Sequence, residues 1–406
     1  MSRPRAAGSA DSARRMEAAR RLMRRMPFAV RPDLAERASA LGFAFAEIDG
    51  EPYWDESVCY RFTLAQIEDD LESAAAEIAA MCADLVGRIV DDEQALDRLR
   101  IPRHGWDVIA ESWKRRDPSL YGRFDFSYDG SAPPKLLEYN ADTPTALYEA
   151  AVFQWHWLED ARAAGTLPRD ADQFNSLHER LVRRWRDIAG GERLHLACLP
   201  DSIEDAGTIA YLGDCARQAG IGTDILAMGE IGLRDGIFTD LQERPIELLF
   251  KLYPWEWMFA DPFGKDPALR SLRCVEPAWK AVLSNKGFLA LLWDRWPGHP
   301  NLLETRFDDG AASMGGRDYA RKPLYSREGA NVRLVRAGRI DAETRGAYGA
   351  EGFVRQALSP LPDFDGHYPV VGCWVVGDEP AGIGIREDRS LITSDRSRFV
   401  PHWIEP

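Results

Sequence analysis

Three short apolar runs in the middle of the chain constrain its fold more than any other feature. They are His195–Leu199, Gly222–Leu226 and Ile246–Phe250, and Glu204–Ala219 between the first two has the composition of a helix. Continuous apolar runs of this length are typical of strands buried on both faces of a sheet. Because a helix separates two of these strands, the pattern predicts a parallel α/β unit within residues 166–275.

Acidic residues follow the first of these strands directly. Ligands of parallel α/β sheets bind beyond the carboxyl ends of the strands. Asp201, Glu204 and Asp205 could therefore contact a cationic group of a substrate. The alternative is that they only charge the first turn of a helix, where the helix dipole favours acidic side chains.

A polar hairpin is the second feature. Arg123–Phe126 alternates polar and apolar residues, Lys135–Tyr139 reads as a second short strand, and Tyr128–Gly130 has the composition of a turn. The polar loop Asn140–Thr145 follows. We expect a helix after it, with Asp142 or Thr143 as its cap and Pro144 in its first turn.

If the two strands pair, three oxygen-bearing side chains converge at one end of the hairpin. Asp125 comes from the first strand, and Glu138 and Asn140 lie two residues apart on one face of the second strand. Two carboxylates and an amide oxygen are ligands of the type that Mg²⁺ prefers. Arg123 shares the face of Asp125 and could hold a phosphate or carboxylate oxygen. The alternative is a solvated hairpin with a surface ion pair.

Several further elements are predicted from periodicity and turn signals. Residues 64–100 have the spacing of a long helix, and Glu276–Trp293 reads as another helix. Tyr319–Pro323 reads as a strand that carries Lys322, and the turn at Ser326–Val332 resembles a phosphate-binding loop without the Walker A sequence.

A final hairpin and a separate strand complete the pattern. Phe353–Leu358 reads as a strand. The alternating segments 369–376 and 381–388 predict a hairpin whose second strand delivers Arg386.

Composition excludes several functional classes. The net charge of −14 argues against a general nucleic-acid binder, which would carry a basic face. The six cysteines are scattered and the seven histidines are not clustered, so neither a zinc site nor a disulfide framework is predicted. No apolar run reaches the roughly 18 residues of a membrane span, and we expect a cytoplasmic protein. Residues 1–30 are basic and predict a flexible tail.

Four longer motifs occur in the same order as in a known family. They are LLEYNADTPT, LSNKGFLALLW, RKPLYSREGANV and the pair GIGIRED and SLITSDRSRFVPH. Together they resemble the glutathionylspermidine synthase family, including its shorter members without an amidase domain. The resemblance covers nearly everything from about residue 30 onwards. It implies a mixed α+β and α/β architecture, with an ATP-grasp-like fold and a pre-ATP-grasp-like α/β domain.

The resemblance also implies roles for individual residues. The implied magnesium ligands are Asp125, Glu138 and Asn140. The implied nucleotide contacts are Arg123, Lys286, Lys322, Gln356 and the lid residues Glu328 and Gly329. Arg386 is implied to act, beside Arg123, on the phosphoryl group that is transferred. The implied substrate contacts are Thr143 and Thr145 for a peptide and Glu204 and Asp205 for an amine.

One departure from the family pattern concerns the substrate side. The segment Lys251–Glu256 corresponds to a segment of the bifunctional members that contains a threonine. This chain has no hydroxyl at the position of that threonine. We expect an ATP- and Mg²⁺-dependent ligase that joins a carboxylate, possibly of glutathione, to a polyamine or another amine. The alternative from the same motifs is a non-catalytic nucleotide- or peptide-binding relative.

The resemblance divides the chain into four regions. Residues 1–30 form the tail, and residues 31–165 form a helical and hairpin region that carries the metal-binding motif. Residues 166–275 form the pre-ATP-grasp-like substrate domain, and residues 276–406 form the ATP-grasp nucleotide-binding region.

Overall fold

The computed structural model describes residues 23–48, 50–309 and 317–406. Most of the basic segment 1–30 lies outside these ranges. Among its described residues, 23–30, Arg24–Pro27 forms a short strand. None of the described helices is both long enough and apolar enough to cross a bilayer.

The strands are numbered in chain order. They are β1 Arg24–Pro27, β2 Glu47–Ile48, β3 Glu51–Pro52, β4 Val58–Thr63, β5 Tyr121–Ser127, β6 Lys135–Asn140, β7 Leu194–Cys198, β8 Thr223–Ala227, β9 Gly232–Arg234, β10 Ile237–Thr239, β11 Leu248–Leu252, β12 Arg273–Val275, β13 Thr305–Phe307, β14 Tyr319–Pro323, β15 Arg333–Arg336, β16 Arg339–Glu343, β17 Phe353–Ala357, β18 Tyr368–Val376, β19 Glu379–Asp388, β20 Arg398–Val400 and β21 His402–Glu405.

The α-helices are numbered in the same way. They are α1 Leu34–Ala40, α2 Ser73–Ile89, α3 Glu93–Arg98, α4 Arg103–Lys114, α5 Gln154–Ala163, α6 Leu177–Ala189, α7 Ile203–Gln218, α8 Trp255–Ala260 and α9 Phe288–Arg295. Two π-helical segments, Gln66–Glu72 and Glu149–Phe153, run directly into α2 and α5.

The predicted parallel α/β sheet is confirmed. Its strands lie in the order β12-β11-β7-β8, and every neighbouring pair is parallel. All five residues of β7 and of β11 are buried. Helix α7 connects β7 to β8, as the alternation of apolar runs requires for a parallel crossover.

Two five-stranded antiparallel sheets form the rest of the framework. One has the order β20-β19-β18-β5-β6 and the other β13-β17-β14-β15-β16. The first contains the predicted hairpin, in which Asp125 pairs with Glu138 and Arg123 pairs with Asn140. All of β5 is buried, because β18 and β6 flank it and Phe124 and Phe126 pack into the core. The alternative of a solvated hairpin is therefore wrong.

The predicted helix over residues 64–100 is interrupted. The chain forms the π-helical segment, then α2, and then the separate helix α3. Asp92 ends the continuity, because its carboxylate accepts hydrogen bonds from the backbone N–H groups of Gln94 and Ala95 and so caps a new helix. Apolar periodicity continues across the break, which is why the sequence pattern does not reveal it.

The predicted helix Glu276–Trp293 is wrong in its first half. A short 3₁₀ turn covers Ala278–Val282, and α9 begins only at Phe288. Between them, the Asn285 side chain donates to the backbone oxygen of Leu99 at 2.6 Å and accepts from the N–H of Gly287 at 2.8 Å. These bonds hold the intervening residue, Lys286, in a turn directly before α9.

The predicted cap after the hairpin is also wrong. The helix starts near Leu147 rather than at Pro144, and neither Asp142 nor Thr143 caps it. The Asp142 carboxylate instead accepts hydrogen bonds from Lys251 and from the backbone N–H of Trp255, which belong to the α/β sheet region. A tertiary contact has replaced the local one.

Candidate active site

A cleft lies between the two antiparallel sheets. It contains two adjoining cavities that share Glu138, Lys286, Ser326, Gly329, Arg386 and Thr393. The first cavity extends along the apolar side chains of β14, β15 and the segment after β17. The second extends towards the loop after β6 and the start of α8. The cleft therefore has an apolar end, a charged centre and a polar end.

Asp125 is the centre of the charged region. It is 1% exposed, and its Oδ1 accepts from Nε of Arg123 at 2.6 Å. Its Oδ2 accepts from Arg386 at 2.6 Å and from the amide of Asn140 at 2.9 Å. One buried carboxylate thus orders two arginines from β5 and β19. Burial and the neighbouring Arg123 lower the pKa of Arg386.

Two lysines enter the same region from different elements. Lys286 Nζ lies 3.3 Å from Oε2 of Glu138 and donates to the backbone oxygen of Ser326 at 2.8 Å. Lys322 Nζ donates to the backbone oxygen of Leu137 at 2.9 Å. Burial would raise the pKa of Glu138, but Lys286 and Lys322 outweigh it and hold that pKa well below its usual range.

Lys322 and Gln356 form a buried pair beneath the cleft. The Gln356 side chain accepts from Lys322 Nζ at 2.8 Å and donates to the backbone oxygen of Leu136 at 3.2 Å. Gln356 is 1% exposed. Since a neutral amide does not balance an ammonium charge, burial lowers the pKa of Lys322 to about 8. The adenine-facing role of Gln356 stays a prediction, because its hydrogen bonds orient the lysine.

The turn at residues 326–330 covers the cleft. Glu328 and Gly329 both have positive φ, and a Cβ on Gly329 would lie 2.3 Å from the backbone oxygen of Thr393. Gly329 therefore permits both the left-handed conformation and the close approach of the two backbones. Burial and the nearby Asp395 raise the pKa of Glu328.

The polar end of the cleft contains the two predicted threonines. The Thr143 hydroxyl accepts from Arg327 at 2.6 Å, and the backbone oxygen of Thr145 accepts from Arg123 at 2.5 Å. Arg327 also donates to Glu256 at 2.9 Å. The loop after β6 thus contacts both the charged centre and the turn above it.

Glu204 and Asp205 lie apart from the cavity linings. They occupy the first turn of α7, where Ser202 caps the helix by accepting from the N–H of Asp205. The backbone of Ala146, next to the Thr145 loop, lies near Glu204 and lowers its pKa less than burial raises it. Burial and the neighbouring Asp205 raise the pKa of Glu204, and burial raises that of Asp205. They form an acidic margin beyond the threonines.

The oxygen ligands of the charged centre fit a magnesium ion. Among the described residues no three His, Cys, Asp or Glu side chains cluster as a metal site. A site here therefore needs the Asn140 amide as its third ligand beside Asp125 and Glu138. The Asn140 amide nitrogen donates to Asp125, so its amide oxygen is the atom that would coordinate an ion.

Two residues of the cleft were not found from the sequence. Arg327 and Glu256 face each other across its polar end, although each stands beside a motif residue. Charged residues in loops and first turns are usually solvated, so residue type alone did not single them out.

We predict that Asp125→Asn destabilises the free enzyme by about 3–5 kcal/mol, because it leaves two buried guanidinium groups without their counter-charge. Urea unfolding monitored by tryptophan fluorescence measures this loss. Glu138→Gln is the control, since the Glu138 side chain is 31% exposed and water can screen the change. Equal stability losses in the two variants would contradict the central role of Asp125.

Comparison with known proteins identifies the family of the chain. Residues 25–405 match the family model described as glutathionylspermidine synthase preATP-grasp. A Haemophilus influenzae protein that carries the name of an acid–amine ligase is 39% identical over 394 residues, covering 93% of this chain and 98% of that protein.

Two longer relatives and one solved structure extend the comparison. Trypanothione synthetase of Crithidia fasciculata is 29% identical, and the bifunctional glutathionylspermidine synthetase/amidase of Escherichia coli K12 is 26% identical. The matches cover 78% and 88% of this chain but only 52% and 61% of those proteins.

The solved structure of a glutathione synthetase-like effector from Globodera pallida shares the fold. Its TM-score is 0.53 at 10% identity, covering 93% of this chain and 98% of that chain. The predicted ATP-grasp-like fold with a pre-ATP-grasp-like α/β domain is thereby confirmed. With the family model matching almost all of its length, the chain belongs to the glutathionylspermidine synthase family and is an acid–amine ligase.

Proposed function

We propose that this ligase uses ATP and Mg²⁺ to join a peptide-like carboxylate to an amine through an acyl phosphate. The observation that carries the proposal is the charged centre, where two arginines and two lysines surround Asp125 and Glu138 between two antiparallel sheets. Four cations around two carboxylates leave an excess of positive charge, which suits a triphosphate.

The proposed chemistry follows from the reactants. A carboxylate does not react with an amine at neutral pH, so one of its oxygens must first become a phosphate leaving group. Lys286 and Lys322 would neutralise the nucleotide phosphates. Arg386 would leave Asp125 to contact the transferring phosphoryl group, while Arg123 holds the carboxylate beside it. The apolar end of the cleft would hold the adenine ring.

Asp125, Glu138 and Asn140 would hold the magnesium ion. When bound, the ion supplies positive charge at the phosphate oxygens and orients them. The turn that carries Glu328 and Gly329 would exclude water from the acyl phosphate.

The polar end of the cleft fits the two substrates. Thr143 and Thr145 would contact the acid, for which glutathione or a similar peptide is the model from the relatives' names. Glu204 and Asp205 would attract a polyamine or another cationic amine.

The state of the cysteines suits a reducing compartment. All six cysteines are free and buried, so we propose that the enzyme acts in the cytoplasm.

Oxygen transfer tests the proposed route. The acid and the amine are first identified by screening ATP turnover against pools of acids and amines. When the acid carries ¹⁸O in its carboxylate, one labelled oxygen should appear in the released phosphate. Mass spectrometry of the phosphate measures this. Label in AMP would contradict the acyl phosphate. A chain that binds ATP but turns it over with no acid or amine would support the non-catalytic alternative instead.

Arg386 should act mainly in the transition state. We predict that Arg386→Ala lowers kcat by about 10²–10³-fold and changes the KM for ATP much less. Steady-state kinetics with the identified acid and amine measure both constants. Arg386→Lys, which keeps the charge but loses the planar pair of donors, should recover part of kcat. A rise in KM at unchanged kcat would place Arg386 in ground-state binding instead.

ATP affinity should depend on pH through Lys322. Its lowered pKa of about 8 means that the ammonium is charged below this pH and neutral above it. Affinity should therefore be constant from about pH 6.5 to 7.5 and fall progressively above about pH 8. Calorimetric titration with ATP in the absence of acid and amine measures this. Lys322→Met should bind more weakly and lose the dependence; an unchanged pH profile in that variant would exclude Lys322 as its origin.

A further inference from the structure

A second buried carboxylate lies next to the cleft and has no role in the chemistry described so far. Asp142 is 2% exposed and Lys251 is fully buried. Asp142 Oδ1 accepts from Lys251 Nζ at 2.7 Å, and Oδ2 accepts from the backbone N–H of Trp255 at 2.8 Å. Lys251 also donates to the backbone oxygen of Tyr253 at 3.0 Å. One carboxylate thus joins the loop after β6 to the end of β11 and the start of α8.

The two ends of this connection stand beside the two partners of Arg327. Thr143 follows Asp142, and Glu256 follows Trp255. Arg327, in the turn that covers the cleft, donates to the Thr143 hydroxyl at 2.6 Å and to Glu256 at 2.9 Å. The Asp142 bonds therefore fix the distance between the two acceptors that receive a single guanidinium group. We call Thr143 and Glu256 the Arg327 seat.

Energetics argue that this pair provides position rather than stability. A buried ion pair costs desolvation that its attraction barely offsets, so apolar residues of similar volume often stabilise a fold as well. A buried ion pair at this place is explained if the exact placement of two backbone segments matters. An arginine that bonds two acceptors at once is sensitive to their spacing, because its donors form a rigid planar fork.

The chain offers a matched pair elsewhere. Glu276 and Lys280 are equally buried, and their charged atoms are also 2.7 Å apart. Glu276 accepts from the backbone N–H groups of Leu120 and Tyr121, and Lys280 donates to the backbone oxygen of Tyr121. This pair holds the start of β5 and contacts neither Arg327 nor its seat. The two pairs match in burial and in the distance between their charges, and the Glu276 backbone oxygen, which accepts from the Trp255 indole, is unchanged by a side-chain substitution.

We propose that the Asp142–Lys251 pair is a positioning device that builds the Arg327 seat, and so determines whether the turn at 326–330 closes over the cleft. Both carboxylate oxygens of Asp142 are occupied by Lys251 and Trp255, so its role is positioning. The inference deepens the proposed function and rests on it in one respect, namely that a nucleotide occupies the cleft beneath the turn.

Hydrogen exchange in the turn tests the proposal. Asp142→Asn keeps the volume and removes the charge, and Glu276→Gln makes the same change in the control pair. Without nucleotide, amides in 326–332 should exchange about tenfold faster in Asp142→Asn than in Glu276→Gln, because only the first loses the seat. With magnesium and a non-hydrolysable ATP analogue, wild type and Glu276→Gln should gain protection there, and Asp142→Asn should gain little.

The stability of the two variants and their affinity for the analogue distinguish a positioning role of Asp142 from a purely structural one. Both variants should unfold at similar urea concentrations, and Asp142→Asn should bind the analogue within about threefold of wild type, because Lys286 and Lys322 are unchanged. Equal exchange in the turn of the two variants would overturn the proposal. If wild type fails to bind the analogue, the proposed function falls, while the comparison without nucleotide still decides whether Asp142 holds the turn.

Discussion

The structure of the cleft depends on one buried carboxylate that orders two arginines. Asp125 lies on a central strand of its sheet, and its partners come from its own strand, from the neighbouring β6 and from β19 two strands away. A buried carboxylate is tolerated only where donors surround it. The strand register that brings Arg123, Asn140 and Arg386 around Asp125 is therefore also the register that assembles the charged centre.

The parts of the fold that follow from side-chain periodicity were predictable from the sequence. The parallel α/β sheet and the hairpin of β5 and β6 were confirmed. They were predictable because the order of apolar and polar residues along a strand indicates which of its faces are buried. The break before α9 was not predictable, because the Asn285 side chain that stabilises it donates its hydrogen bond to Leu99, which is 186 residues away in the sequence. Asp142 failed as a cap for the same reason: its partners, Lys251 and Trp255, follow more than a hundred residues later.

The candidate site shows the same division. The acidic, lysine and arginine residues that the motifs indicated lie in one cleft, but the motifs could not show that Gln356 accepts a hydrogen bond from Lys322 and donates one to Leu136. They also gave no sign that Arg327 bridges the turn to Glu256. Residue type and spacing indicate which side chains are suited to a chemistry. Which of them orient the others is decided by contacts across separate elements.

The pairing of β5 with β18 and β19 has a consequence for the order in which the enzyme becomes active during synthesis. Asp125 and Arg386 are separated by 261 residues, and β18 must be in place before β19 can join the sheet. Domains generally fold as units from the N-terminal side during translation. The α/β sheet can therefore form on the ribosome, whereas the charged centre cannot exist until β19 has emerged. A partly synthesised chain would therefore contain the parallel α/β sheet without the charged centre.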